Sequence, residues 1–343
     1  MTQDRFFPDL YKRSRKTGLL ESGAKAIQTV IDEMGVDATV EEKKMLSFIN
    51  MDGYVVRRGN CTAFFPRKID LHTTENNGVA TSRRNFLDID VVLPPYVTMG
   101  YLSIYGARIE KATSGDEKER VAEEMLHGLY SSPSVLAELC LGVYQKDPCI
   151  APFYYSLVEA IEAHCLGLPR ASVLTLIPCV EGIIRNLARM VGKSIDDRVD
   201  AGSFLETLTR VQKHYINKVE LRGIDWVPNE LREVKFYDGF HELIQMVESI
   251  RVFVEHSMYK HTDDYEKKSR LNRHGIVHGL LSDYNTETNF YRLIVLINGL
   301  SVASIVAGRC ASLFHPESTE EARLLGLHFE SCKLTSFKTV TIA

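Results

Sequence analysis

Apolar residues recur at helical spacing through most of the second half of this chain. Pro152 precedes a run in which Phe153, Leu157, Val158 and Ile161 share a face. Pro169 opens a longer one, with Val173, Leu174, Ile177, Val180, Ile183, Ile184 and Leu187 on one stripe. Proline suits a first helical turn, where its missing N–H has no partner to lose, and the apolar period near 3.6 is that of an α-helix with one buried face. The same reasoning predicts helices over 203–216, over Phe240–His261 (stripe Leu243, Ile244, Val247, Ile250, Val254) and over about 286–314, with a short one within 266–281. Long helices joined by short connections imply an antiparallel bundle, here spanning 151–315.

The first half has another texture. Helical patterns cover Ser22–Met34 and Val40–Ile49. Short β-prone runs then follow: Gly53–Val56, Thr62–Phe65 and Asp90–Leu93, the last stopped by Pro94-Pro95. The polar, asparagine-rich stretch 72–86 reads as a loop, and 116–130 and 133–146 as helices. The expected fold is mainly α. A smaller mixed α/β region occupies 1–150, the bundle occupies 151–315, and a tail occupies 316–343, in which 332–343 is β-prone or flexible.

Composition narrows the class. The 343 residues suffice for two ordinary domains, and 45% hydrophobic with 25% charged residues is a globular profile. A net charge of −4 excludes a generally basic nucleic-acid binder, so any RNA contact must be a local patch. The seven cysteines are scattered, with no C-x-x-C, and read as small core side chains rather than a disulfide or zinc framework. The basic N-terminus lacks the apolar run of a secretory signal. Leu293–Gly308, the longest apolar stretch, is too short for a comfortable span and reads as a core helix. The expectation is a cytoplasmic protein without membrane association.

The densest chemistry lies in Leu271-Asn272-Arg273-His274-Gly275-Ile276-Val277-His278-Gly279. Arginine is a permanent cation whose planar fork fits a phosphate, and histidine exchanges protons near neutral pH. Together they form a minimal kit for cleaving RNA, which carries its own nucleophile in the 2′-hydroxyl. On a regular helix Arg273 and His278 project about 140° apart, whereas His274 and His278 share a face. One copy therefore makes an incomplete site, and two copies in a dimer would place two arginines and two histidines around one phosphate.

The pattern R-x4-H, with polar His274 directly after Arg273 and Gly279 after His278, set late in a helical bundle, resembles the HEPN superfamily (higher eukaryotes and prokaryotes nucleotide-binding). The segment 174–185 also looks like an early bundle helix of such proteins, and the resemblance covers about 150–315. It implies a metal-independent endoribonuclease without cofactor, working as a homodimer. Arg273 would clamp the phosphate. His278 would act as base on the 2′-hydroxyl or as acid on the leaving 5′-oxygen, giving a 2′,3′-cyclic phosphate. Asn272, His274 and Glu181 would be auxiliary. Many members serve in toxin–antitoxin or phage-defence systems, with an antitoxin or regulatory partner, and others have lost catalysis and bind or dimerise. The tyrosine that some members carry two residues past the histidine, as a target for a partner antitoxin, is replaced by Leu280.

Plainer readings stand beside this one. Arg273 and His274 fit solvated helix-start residues, His278 a carbonyl cap, and Asn272 a helix cap. His274 and His278 have zinc-pair spacing, with His256, His261 or Asp264 as further ligands, but Gly275 occupies the place of a protease glutamate. Glu181 and Arg185 at i, i+4 read first as an intrahelical ion pair, and second as Glu181 orienting Arg273 or His278. Arg57-Arg58 and Arg83-Arg84 could track an RNA backbone with Tyr54 or Phe86 stacking on bases, although such short runs are more often solvated faces. Phosphate-loop, dinucleotide-binding and nucleophile-elbow motifs are absent from the sequence.

Overall fold

A computed structural model describes residues 5–45, 51–69, 78–193, 200–266 and 268–336. Along the chain, helices α1 (Phe6–Lys16), α2 (Leu19–Ser22) and α3 (Ala24–Glu33) precede strands β1 (Thr39–Met45), β2 (Met51–Arg58) and β3 (Cys61–Pro66). Then come α4 (Gly78–Asp88), α5 (Met99–Lys111), α6 (Gly115–Tyr130), α7 (Pro133–Leu139), α8 (Tyr154–Cys165), α9 (Pro169–Met190) and α10 (Ala201–Tyr215). The last are α11 (Val234–Asp238), α12 (Glu242–Phe253), α13 (Arg273–Val277), α14 (Glu287–Val306) and α15 (Glu320–Leu334). The protein is mainly α, as expected. Its two compact units are not divided at residue 150: one comprises 1–74 with 213–241, the other 75–212 with 242–343.

The first unit is built on the antiparallel sheet β1-β2-β3. Tyr54 and Val56 of β2 and Phe65 of β3 join Phe7, Leu10, Ile27 and Ile31 of the helices in one core. The backbone of Asp225 and Trp226 lies along β3: both N–H groups donate to Thr62 O, and Phe64 N donates to Trp226 O at 3.0 Å. The Trp226 ring packs on Tyr11 and Phe65 with centroids 5.6 and 5.5 Å away.

The runs Gly53–Val56 and Thr62–Phe65 fall inside β2 and β3, but the helix expected from Val40 is strand β1. Glu41, Glu42, Lys43 and Lys44 favour a helix locally. In the fold Glu41 pairs with Arg57 of the adjacent strand at 2.7 Å and Glu42 with Arg67 at 2.9 Å, and the backbone ladder to β2 prevails. Residues 46–49 of that expectation lie outside the described residues. Tyr54 and Phe86 are fully buried, which removes both as stacking platforms for RNA.

In the second unit α14 is the central helix, packed by α6, α9 and α12. It is apolar on nearly every side, the signature of a helix enclosed in a core. α9 and α14 are the two helices among the described residues long and apolar enough to cross a membrane, and most of each is buried within this unit. The polar groups of α14 are satisfied: Asn298 accepts from Tyr144 OH at 2.8 Å and Ser304 donates to Asp147 at 3.1 Å. α8 packs on α9 across a short turn, and α4 on α5 and α12.

Asp90–Leu93 is irregular chain rather than a strand, with Leu93 N donating to Ser249 Oγ at 2.8 Å. The expected loop 72–86 is helix α4 from residue 78 onward, and 72–77 lies outside the described residues. The expected tail contains α15. Thr319 caps it, Glu320 and Glu321 occupy its first turn, Lys333 its last, and Ala322, Gly326 and Phe329 bury against α7 and α8. Residues 337–343 of that tail lie outside the described residues.

Candidate functional site

The R-x4-H segment folds as a single helical turn with both ends specified locally. Asn272 is the N-cap of α13: its side-chain oxygen accepts from Gly275 N at 2.8 Å. Its amide nitrogen donates to Lys260 O at 2.8 Å and Ser257 O at 3.2 Å, so the fully buried Asn272 ties the preceding loop to the motif. At the other end His278 is the C-cap and Gly279 takes φ +70°, the left-handed conformation that glycine adopts without strain. Gly279 N then reaches Ile276 O at 3.1 Å and Leu280 N reaches Gly275 O at 2.8 Å, which closes the turn. Gly275 must itself be glycine-sized, since a Cβ there would lie 2.7 Å from the Leu281 side chain.

The loop entering the motif is pinned to the core. Asp90, with φ +52° and full burial, accepts from the hydroxyls of Ser257, Tyr265 and Ser269. Asn289 of α14 donates to Ser269 O and Tyr284 O. These anchors hold the motif turn on rigid helices rather than on a free loop.

Arg273 Nε donates to Glu181 Oε1 of α9 at 2.7 Å. The same oxygen accepts from Tyr259 OH at 2.5 Å. Burial, and then the hydrogen bond to Glu181, push the Tyr259 hydroxyl well above its ordinary pKa, so it remains a donor at neutral pH. Arg273 is therefore fixed through one nitrogen, and its two terminal nitrogens have no partner among the described residues. Carboxylate and guanidinium are 12% and 29% exposed, so the pair lies at the edge of solvent.

His274 and His278 are exposed, with ring centroids 4.4 Å apart at 53°. Neither makes a hydrogen bond to Arg273 or Glu181 among the described residues. Val277 and Leu280 stand on the same turn, 49% and 62% exposed.

Of the five residues singled out from sequence, then, Arg273 and Glu181 meet directly, His274 and His278 meet each other, and Asn272 faces inward. Glu181 takes Arg273 and Tyr259 as partners; no Glu181–Arg185 ion pair exists among the described residues, so the intrahelical reading is corrected. Tyr259 carried no local signal. Among the described residues no group of three His, Cys, Asp or Glu side chains could share a metal ion, so the histidine pair has no third ligand there. A cavity of about 840 Å³ in the first unit, floored by Phe7, Tyr11 and Trp226, contains none of these residues.

Comparison of the chain with protein-family models, with curated proteins and with solved structures gives no significant match.

Proposed function

We propose that this chain is a metal-independent endoribonuclease of the HEPN type, needing no cofactor. The observation that carries the reading is the way Arg273 is held: Glu181 fixes its guanidinium through Nε and the terminal nitrogens have no partner among the described residues, beside two exposed histidines on the same turn. A phosphodiester of RNA is the ligand this arrangement fits. Arg273 grips the phosphate and stabilises the charge that builds on its oxygens. His278 takes the proton of the 2′-hydroxyl, or returns one to the leaving 5′-oxygen, and His274 assists. The 2′-oxygen attacks phosphorus and the P–O5′ bond breaks, leaving a 2′,3′-cyclic phosphate and a 5′-hydroxyl.

A homodimer completes the site. Val277 and Leu280 supply apolar surface beside His278, where a second copy would bring its own Arg273 and His278. A cytoplasmic toxin or phage-defence role, held in check by an antitoxin or another regulatory partner, fits the same reading.

One observation favours a second reading, a catalytically silent binding or dimerisation module of the same fold. A catalytic histidine is ordinarily oriented by a hydrogen bond at its other nitrogen, and the ring of His278 meets only His274 among the described residues.

The deciding experiment is RNA cleavage by the purified protein in excess EDTA, wild type beside His278→Ala and Arg273→Ala. Cleavage that survives EDTA, leaves cyclic phosphate ends and disappears in both variants supports the nuclease. RNA binding without cleavage supports the silent module.

A further inference from the structure

Glu181 and Arg185 stand one turn apart on α9 and project on the same side of the helix. The charge pair this spacing offers is not made. Glu181 Oε1 is taken by Arg273 Nε at 2.7 Å and by Tyr259 OH at 2.5 Å. Arg185 is left half-buried, with no hydrogen bond or ion pair among the described residues, and its Nε is buried and without any acceptor. Buried guanidinium donors are almost always hydrogen-bonded, and a cation held away from water ordinarily has an anion beside it. Glu181, the one carboxylate within α9, is already bound to Arg273 and Tyr259, and among the described residues no other acidic side chain pairs with Arg185.

Arg185 stands one helical turn from Glu181, the carboxylate that holds Arg273, and the charges of both arginines act on the Tyr259 hydroxyl bound to that carboxylate. Two arginines near one carboxylate, only Arg273 of them bonded to it, leave a local excess of positive charge in a chain whose net charge is −4. Local positive charge of this kind matches an anionic ligand rather than a fold-holding role.

We propose that Arg185 is a second phosphate-binding residue of this site, holding a phosphate of the bound strand alongside the one gripped by Arg273. The identity of that strand as RNA rests on the ribonuclease reading above. Arg185 touches the backbone only, so it contributes affinity and register without base preference.

The test uses the full chain and a single-stranded oligoribonucleotide with every 2′-hydroxyl methylated, which binds but cannot be cut. Affinity is measured by fluorescence anisotropy across a series of salt concentrations for wild type, Arg185→Gln, Arg185→Met and Arg185→Lys, with thermal melts of each. Loss of one phosphate contact makes the slope of log affinity against log salt shallower by about 0.7 on a single strand. The expected result is that shallower slope, with weaker binding, in Arg185→Gln and Arg185→Met. Arg185→Lys should keep the wild-type slope, and the Gln and Met variants should melt no lower than wild type, since a buried unpaired donor is gone. A wild-type slope in folded Arg185→Gln and Arg185→Met overturns the proposal. So does a wild-type protein that binds no strand, which fells the ribonuclease reading as well. Binding with the expected slopes, but no cleavage of unmodified RNA by wild type, keeps Arg185 as a phosphate contact and removes only the nuclease.

Discussion

Two arginine clusters in the helical unit are built to opposite plans. Arg292 of α14 is fully buried, and each of its nitrogens is used: Nε donates to Ile89 O at 3.1 Å, Nη1 to Glu119 and Asn289 at 3.0 and 2.9 Å, and Nη2 to Glu119 at 2.6 Å. Around Glu181, one carboxylate serves Arg273 and Tyr259 while Arg185 has no partner among the described residues. Both clusters cost desolvation energy. The first recovers it inside the chain, as a fold-holding charge must, and the second recovers less of it among the described residues. A closed guanidinium is structural, and an open one at the solvent edge has donors to spare.

The contrast can be broken at several points. Arg292→Met strips the partner from Glu119, Asn289 and the Ile89 carbonyl together, and should cost about 3–5 kcal/mol in urea denaturation. A loss near zero would mean that the closed cluster is not structural. At the open cluster the expectation reverses. His278→Ala should lower RNA cleavage by about 10²- to 10⁴-fold. Because the side chain is exposed, its effect on unfolding free energy should stay within about 0.5 kcal/mol.

Smaller effects test the scaffold of the motif. Gly275→Ala forces the Leu281 side chain aside and should destabilise by about 1–3 kcal/mol. Asn272→Ala removes the cap of α13 at about 1–2 kcal/mol, and activity should fall further than stability because the turn carrying Arg273 loosens. Measuring both quantities on one preparation shows whether Asn272 acts through Arg273 or only through the fold. Smallest of all, Leu280→Ser should move stability by less than about 0.5 kcal/mol. If the turn is a dimer face, sedimentation should show weaker self-association; an unchanged sedimentation profile would remove Leu280 from any interface.

What could be read from sequence was what is encoded locally. The helices α8, α9 and α12 announce themselves because each keeps an apolar stripe over several turns, α14 because it is a long apolar run, and prolines mark where α8 and α9 begin. The chemistry of Arg273, His274 and His278 was equally plain, being confined to six consecutive residues. Failures came where a distant partner decides. β1 carries a helix-favouring run of glutamates and lysines that only Arg57 and Arg67 convert into a strand edge. Glu181 has an obvious local partner in Arg185 and takes a remote one instead. Tyr259 becomes meaningful only when α9 lies beside it. α15 was a different kind of miss: Thr319, Glu320, Glu321 and Lys333 mark both its ends, but its buried face consists of small Ala322 and Gly326 with Phe329, too thin a stripe to stand out.

The split of the first unit across the sequence has a consequence for how the chain is made. Residues 1–74 hold all three strands, but the free edge of β3 and the rings of Tyr11 and Phe65 stay uncovered until Asp225 and Trp226 arrive. On the ribosome that arrival comes on the order of 10 s after the N-terminal strands emerge. For that interval the nascent chain displays an open strand edge and a bare aromatic surface. Synthesis of this protein should therefore lean on chaperones that shield early segments, and slowing translation before residue 226 should raise the share of chains lost to aggregation.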